Sequence, residues 1–179
     1  MNKRGKKKAQ VWVETVIYTL IAFSLIAAVL VVVRPKIEEA QDKALVEQSI
    51  NLMKTFDSRI KDAIQGGSGN KRILEISIKE GTLEINGIND EIIFEMESDY
   101  IYSEIGKTIP EGNLLITTQE LGTINLITIN RSYEENVNIT FNNQEELKTL
   151  TKASTSYLVS VTNLGQDSED KWHIDVELN

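Results

Sequence analysis

Residues 3–33 read KRGKKKAQVWVETVIYTLIAFSLIAAVLVVV, a basic leader running straight into an apolar stretch, Val11 to Val33, whose one formal charge is Glu14. Thr15 to Val33 alone is 19 residues, close to the roughly 20 that cross a bilayer as a helix. Twelve of these are Leu, Ile, Val or Phe. At about −0.3 to −0.6 kcal/mol each, they supply roughly −4 to −7 kcal/mol of insertion free energy. Glu14 at mid-membrane costs about 2.5–3.5 kcal/mol, and less near an edge, so the segment inserts despite it. The pattern predicts a membrane-spanning helix over residues 10–34 behind a basic leader over 1–9. A charge kept inside such a helix needs a reason.

Three readings of the leader compete. A secretory signal has an apolar core of about 7–15 residues ending at a small-x-small cleavage site; here the run is longer and passes directly into Arg34-Pro35-Lys36. A plain signal-anchor helix fits the length but explains neither Glu14 nor the abrupt junction at Ala9-Gln10. A cut on the cytoplasmic side, between Ala9 and Gln10, accounts for both. Gln10 then becomes the N-terminus and Glu14 lies four residues on, one turn along the same helix face. Opposite charges 4 Å apart gain about 4 kcal/mol at an effective dielectric near 20, and the first turn of a helix favours an anion through its dipole.

Basic leader, small residue, Gln, and then Glu five residues into an apolar helix: this arrangement resembles the class III signal peptide of archaeal type IV pilins and archaellins. The residues that carry the resemblance are Ala9, Gln10, Val11, Trp12, Val13 and Glu14. Ala9 stands where that family often has Gly, and Gly5 is a poorer cut because it leaves Lys6, Lys7 and Lys8 on the mature helix. The resemblance covers the first fifth of the chain. It implies a membrane-held precursor, cleavage by a prepilin peptidase, assembly with copies of itself or related pilins through the N-terminal helix, and a role for Glu14 in that assembly.

Charge supports an outward-facing protein. Residues 1–9 carry five positive charges and no negative one, whereas from Pro35 onward 13 Lys/Arg face 26 Asp/Glu. The positive-inside bias places the leader in the cytoplasm and the acidic remainder outside, a single-pass topology at the cell membrane. An acidic exterior argues against nucleic-acid binding, which wants a basic face. With no cysteine in the chain, disulfides and thiol chemistry play no part.

Beyond Pro35 a helical pattern resumes over residues 35–66. Ile37, Ala40, Ala44, Leu52, Phe56, Ile60 and Ile64 repeat mostly at three or four, flanked by Leu45 and Met53. Charges including Glu39, Asp42, Lys43, Lys54, Asp57 and Lys61 fall between, giving an amphipathic helix ended by Gln65-Gly66-Gly67-Ser68-Gly69. Over 70–179 the period becomes two. Leu74, Ile76 and Ile78 alternate with polar residues, then Leu83 and Ile85, then Ile92, Phe94 and Met96. Further candidate strands are Tyr100–Ser103, Leu114–Thr118, Ile124–Ile129, Val137–Phe141, Tyr157–Thr162 and Trp172–Leu178. Turn signals include Asn86-Gly87, Pro110-Glu111-Gly112-Asn113, Leu121-Gly122 and Asn163-Leu164-Gly165. The expected fold is α+β: a long N-terminal helix followed by a head that is an antiparallel β-sandwich of about nine short strands.

Catalytic signals are sparse. The single histidine, His173, falls between Trp172 and Ile174, in a strand whose inward row reads Trp172, Ile174, Val176, Leu178; it is expected to point outward beside Asp175 and Glu177. Asp167-Ser168-Glu169-Asp170 gathers carboxylates without the ordered spacing and glycine of a calcium loop. No catalytic residue, cofactor, metal or small-molecule substrate is expected, and the chain is not read as an enzyme. Two N-glycan acceptor sequences occur, Asn130-Arg131-Ser132 and Asn138-Ile139-Thr140; alternation with Val137 and Ile139 puts the Asn138 side chain on a solvent face. The expected function is a pilin-like cell-surface subunit. The alternative is an anchored, non-polymerising β-domain that binds a ligand or partner at the cell surface.

Overall fold

The structure, a computed structural model, describes the backbone from Arg4 and the side chains from Val11 to Asn179. One helix, α1 (Arg4–Gln65), precedes ten strands. These are β1 (Lys71–Ile76), β2 (Thr82–Asn86), β3 (Glu91–Ser98), β4 (Thr108–Glu111), β5 (Leu114–Leu121), β6 (Ile124–Ser132), β7 (Val137–Phe141), β8 (Leu147–Thr151), β9 (Tyr157–Gln166) and β10 (Trp172–Leu178). The expected α+β architecture, a long helix and then a β-rich head, is the one observed. The chain divides into two compact units, residues 1–41 and 42–179, and α1 contributes to both. The head therefore begins inside the helix, at Asp42, rather than at residue 70.

The reason lies in what residues 42–65 bury. Val46, Ile50, Met53, Phe56, Ile60 and Ala63 are each 3 % exposed or less and share one core with the strands. Their spacing of three and four is that of a helix laying one face on a sheet. This face differs from the expected stripe. Ala44 lies a third of a turn or more from Phe56 and Ile60 at 3.6 residues per turn, and it is exposed. Ile37 and Ala40 are exposed as well. Of the two covers open to a stripe from Ile37 to Ile64, the chain's own head or neighbouring subunits, the later part takes the first, and only its continuity as one seam from Ile37 is corrected. At the helix end the Gly66 N–H donates to the Asp62 carbonyl and the Gly67 N–H to the Ile64 carbonyl, both at 3.1 Å. Gly67 takes φ +81°, the left-handed cap that glycine adopts without strain. Asn163 Nδ2 on β9 donates to the Ala63 carbonyl at 3.2 Å, satisfying another helix-end acceptor.

The strands form a six-stranded antiparallel sheet, β4-β5-β6-β3-β2-β8, and a four-stranded sheet, β1-β9-β10-β7. All pairings are antiparallel except β10 with β7. Alternate residues of β3 (Ile92, Phe94, Met96) and β6 (Ile127, Ile129) point to the core, as period-two alternation requires. The edge of β7 is closed by a side chain: Asp90 Oδ1 accepts the Ile139 N–H at 2.7 Å. Gly87 packs beside it, where a Cβ would stand 2.7 Å from the Ile139 carbonyl oxygen.

Three local expectations are revised. Tyr100–Ser103 is no strand: the Ser103 N–H goes to a side chain, Thr118 Oγ1 on β5 at 3.0 Å, rather than to a ladder carbonyl, and its Oγ donates to the Lys107 carbonyl at 2.9 Å. Pro110 and Glu111, expected in a turn, belong to β4, an edge strand where proline's missing N–H is tolerated. Leu147–Thr151, unassigned from sequence, forms edge strand β8, in which Leu150 alone is buried.

Candidate functional site

The residues of α1 from Val11 to Val33 set it apart from the rest of the chain. Every one of them is exposed, including Trp12 at 70 %, Tyr18 at 65 % and Phe23 at 64 %. The stretch is long and apolar enough to cross a membrane, and none of it is buried; it is a candidate membrane anchor. Apart from the carbonyl opposite Pro35, its backbone is satisfied internally by helix bonds, as hydrocarbon requires. The hydroxyls follow the same rule. Thr15 Oγ1 donates to the Val11 carbonyl at 2.9 Å, Thr19 Oγ1 to Thr15 at 2.8 Å and Ser24 Oγ to Leu20 at 2.8 Å. Pro35 lies within the helix and brings no N–H to the carbonyl of Val31 four residues earlier.

Glu14 sits three residues into this stretch and is exposed. At 3.6 residues per turn, Glu14, Thr15, Tyr18 and Ala22 fall within about a third of the helix circumference, while Val13, Leu20, Ala27 and Val31 fall opposite. Val11 and Leu25 lie on the Glu14 face too, so the carboxylate stands on a helix that is apolar nearly all round. A carboxylate at such a position is costly against lipid and stable beside a cation or hydrogen-bond donor. Ala9 and Gln10, the expected leader junction, lie outside the described side chains.

Two polar clusters in the head escaped the sequence reading. In the first, Asp57, expected among the solvent-facing charges, is buried. Its Oδ1 accepts Arg131 Nε at 2.8 Å and the Tyr133 hydroxyl at 3.1 Å. Its Oδ2 accepts Lys61 Nζ at 2.6 Å and Asn113 Nδ2 at 3.1 Å. Burial pushes the Asp57 carboxyl up, but bonds from Lys61, Arg131 and Asn113 outweigh it and hold the group below the usual carboxylate range. The signal was present in the sequence: Val46, Ile50, Met53, Asp57 and Ile60 follow a four-three-four-three spacing with Asp57 on it. The arrangement ties α1 to β6 and to the β4–β5 turn.

The second cluster revises the outward row of β10. His173 is half-buried and Asp175 is buried, because Thr140 on β7 and the backbone at Asn143 cover them. Thr140 Oγ1 donates to Asp175 Oδ1 at 2.7 Å and stands 3.0 Å from His173 Nε2, while the Asn143 N–H donates to Asp175 Oδ1 at 2.6 Å. The hydroxyl proton points to the carboxylate, so the imidazole donates to the oxygen rather than taking its proton. A nucleophile needs the reverse order, with the base between hydroxyl and carboxylate.

The carboxylates of 167–170 do not converge: Asp167 Oδ1 accepts the N–H groups of Glu169 and Lys171 at 2.8 and 3.0 Å. Among the described residues no group of three His, Cys, Asp or Glu is placed to hold a metal ion. Both glycan-acceptor asparagines sit inside strands and are half-buried. Asn130 Nδ2 donates to Glu91 Oε2 at 2.9 Å, and the Asn138 side chain, expected on a solvent face, has a buried Oδ1. Thr140, the hydroxyl residue of the second acceptor sequence, is the one engaged with Asp175. No family model matches the chain, and no curated protein or solved structure matches it.

Proposed function

We propose that this chain is a pilin-like cell-surface subunit of archaeal type. It is inserted as a precursor with its N-terminus in the cytoplasm and its acidic head outside. A prepilin peptidase cuts between Ala9 and Gln10, and the mature protein assembles into a type IV pilus-like filament through its N-terminal helix. The observation that carries this reading is the single carboxylate, Glu14, held in a helical stretch otherwise without charge from Val11 to Val33 and four residues from the expected new N-terminus. A lipid anchor gains nothing from it. A helix that exchanges lipid for like helices gains an ion pair with an N-terminal ammonium in a low-dielectric core.

A second reading, an anchored β-domain that binds a partner at the cell surface without polymerising, is favoured by one feature. The head covers the apolar face of residues 46–63 by itself and so needs no neighbouring copy there. N-terminal sequencing of the natural surface protein separates the two: a start at Gln10 is expected, and a start at Met1 or Asn2 returns the anchored module. Glu14→Gln tests the assembly role. It is expected to be processed and membrane-held yet to form no filaments, and filaments of ordinary length from it would remove the pairing.

A further inference from the structure

We draw no further inference here: the strongest candidate, the outer face of the six-stranded sheet, where Glu84, Glu91, Glu95 and Glu97 stand in a field of threonines and no strand position on that side is basic, is an acidic surface patch, and nothing in the structure shows what covers it.

Discussion

A carboxylate on the apolar stripe of a helix destabilises a fold unless its oxygens are fully used, and Asp57 spends both on four donors. Removing the acceptor leaves the Arg131 guanidinium and the Tyr133 hydroxyl without their partner in a half-buried site. Breaking an ion pair from one side costs about 3–5 kcal/mol when it is fully buried, and less here, where the Lys61 and Arg131 side chains are 45 % and 23 % exposed. Asp57→Ala in a protein beginning at Pro35 is therefore expected to lower the urea midpoint clearly, with Asp57→Asn intermediate because the amide oxygen still accepts. An unchanged midpoint for Asp57→Ala would show that the network adds nothing. Acid provides a second readout. The folded Asp57 carboxyl lies below its ordinary value of 3.8, so its contribution is complete above that value and is lost as pH falls through the lower folded one. Asp90 has the opposite sign: burial raises its carboxyl, against the opposing bond from the Ile139 N–H. It therefore favours the folded state at low pH, and that contribution fades as pH rises through the raised value. Asp90→Asn keeps an acceptor for Ile139 and tolerates φ +51°. It is expected to match or exceed the parent's thermal midpoint at pH 7 and to lose that advantage near pH 4. A large loss at pH 7 would contradict the assignment.

Among the elements, α1 is where local pattern and long-range packing part company. The apolar run from Val11, the switch to period two after Lys71, and strands such as Ile92–Met96 and Trp172–Leu178 were legible, because each is governed by local periodicity. What the second half of the helix does was not. Periodicity reports that a face is apolar and is silent on whether a sheet of the same chain covers it. At Asp57 polarity and spacing give opposite answers, and the spacing is the one the fold obeys. Likewise Thr140, His173 and Asp175 meet only through the parallel pairing of β7 with β10, a long-range event no window contains. Of the proposed site, Glu14 was legible as a charge kept inside an apolar helix, and the leader junction was read from that charge's spacing to Gln10 and from the resemblance to pilin leaders. The helix reading yields a sharp expectation about domain boundaries. Residues 42–65 supply Val46, Ile50, Met53, Phe56 and Ile60 to the core, and burying each is worth about 1.5–3 kcal/mol. Together they contribute roughly 8–15 kcal/mol, comparable with the whole stability of a domain at about 5–15 kcal/mol. A fragment of residues 70–179 should therefore lack a cooperative thermal transition and bind hydrophobic dyes, whereas one of residues 35–179 should melt cooperatively as a monomer. Cooperative melting of the shorter fragment would mean that the strands close a core without the helix.

At the scale of the whole molecule, the two units ask for different surroundings. The head closes its own core and presents a strongly acidic exterior, while twelve Leu, Ile, Val or Phe side chains lie between Thr15 and Val33 on a stretch that is exposed throughout. At about 1.5–3 kcal/mol for each such side chain removed from water, covering this stretch with lipid or with other helices is strongly favoured over leaving it in water. Which of the two depends on the leader. Its five positive charges are compatible with a helix whose end stays at the cytoplasmic face of a membrane. They are incompatible with packing that same end among apolar helices, where an unpaired Lys or Arg at the centre costs about 2.5–3.5 kcal/mol even on the mildest scale. On the proposed pilin reading, cleavage between Ala9 and Gln10 is the step that permits the helix to leave lipid. A bulky residue in place of Ala9 blocks it if the peptidase must seat a small side chain beside the scissile bond. Ala9→Phe is expected to keep the precursor at full mass in the membrane fraction, with no filaments on shearing, while the unaltered chain sediments as filaments from sheared cell surfaces. Filaments of normal length from uncleaved Ala9→Phe would sever assembly from processing. If the unaltered protein is recovered only as detergent-solubilised monomers under every growth condition, polymerisation falls, and the head acts as an anchored binding module.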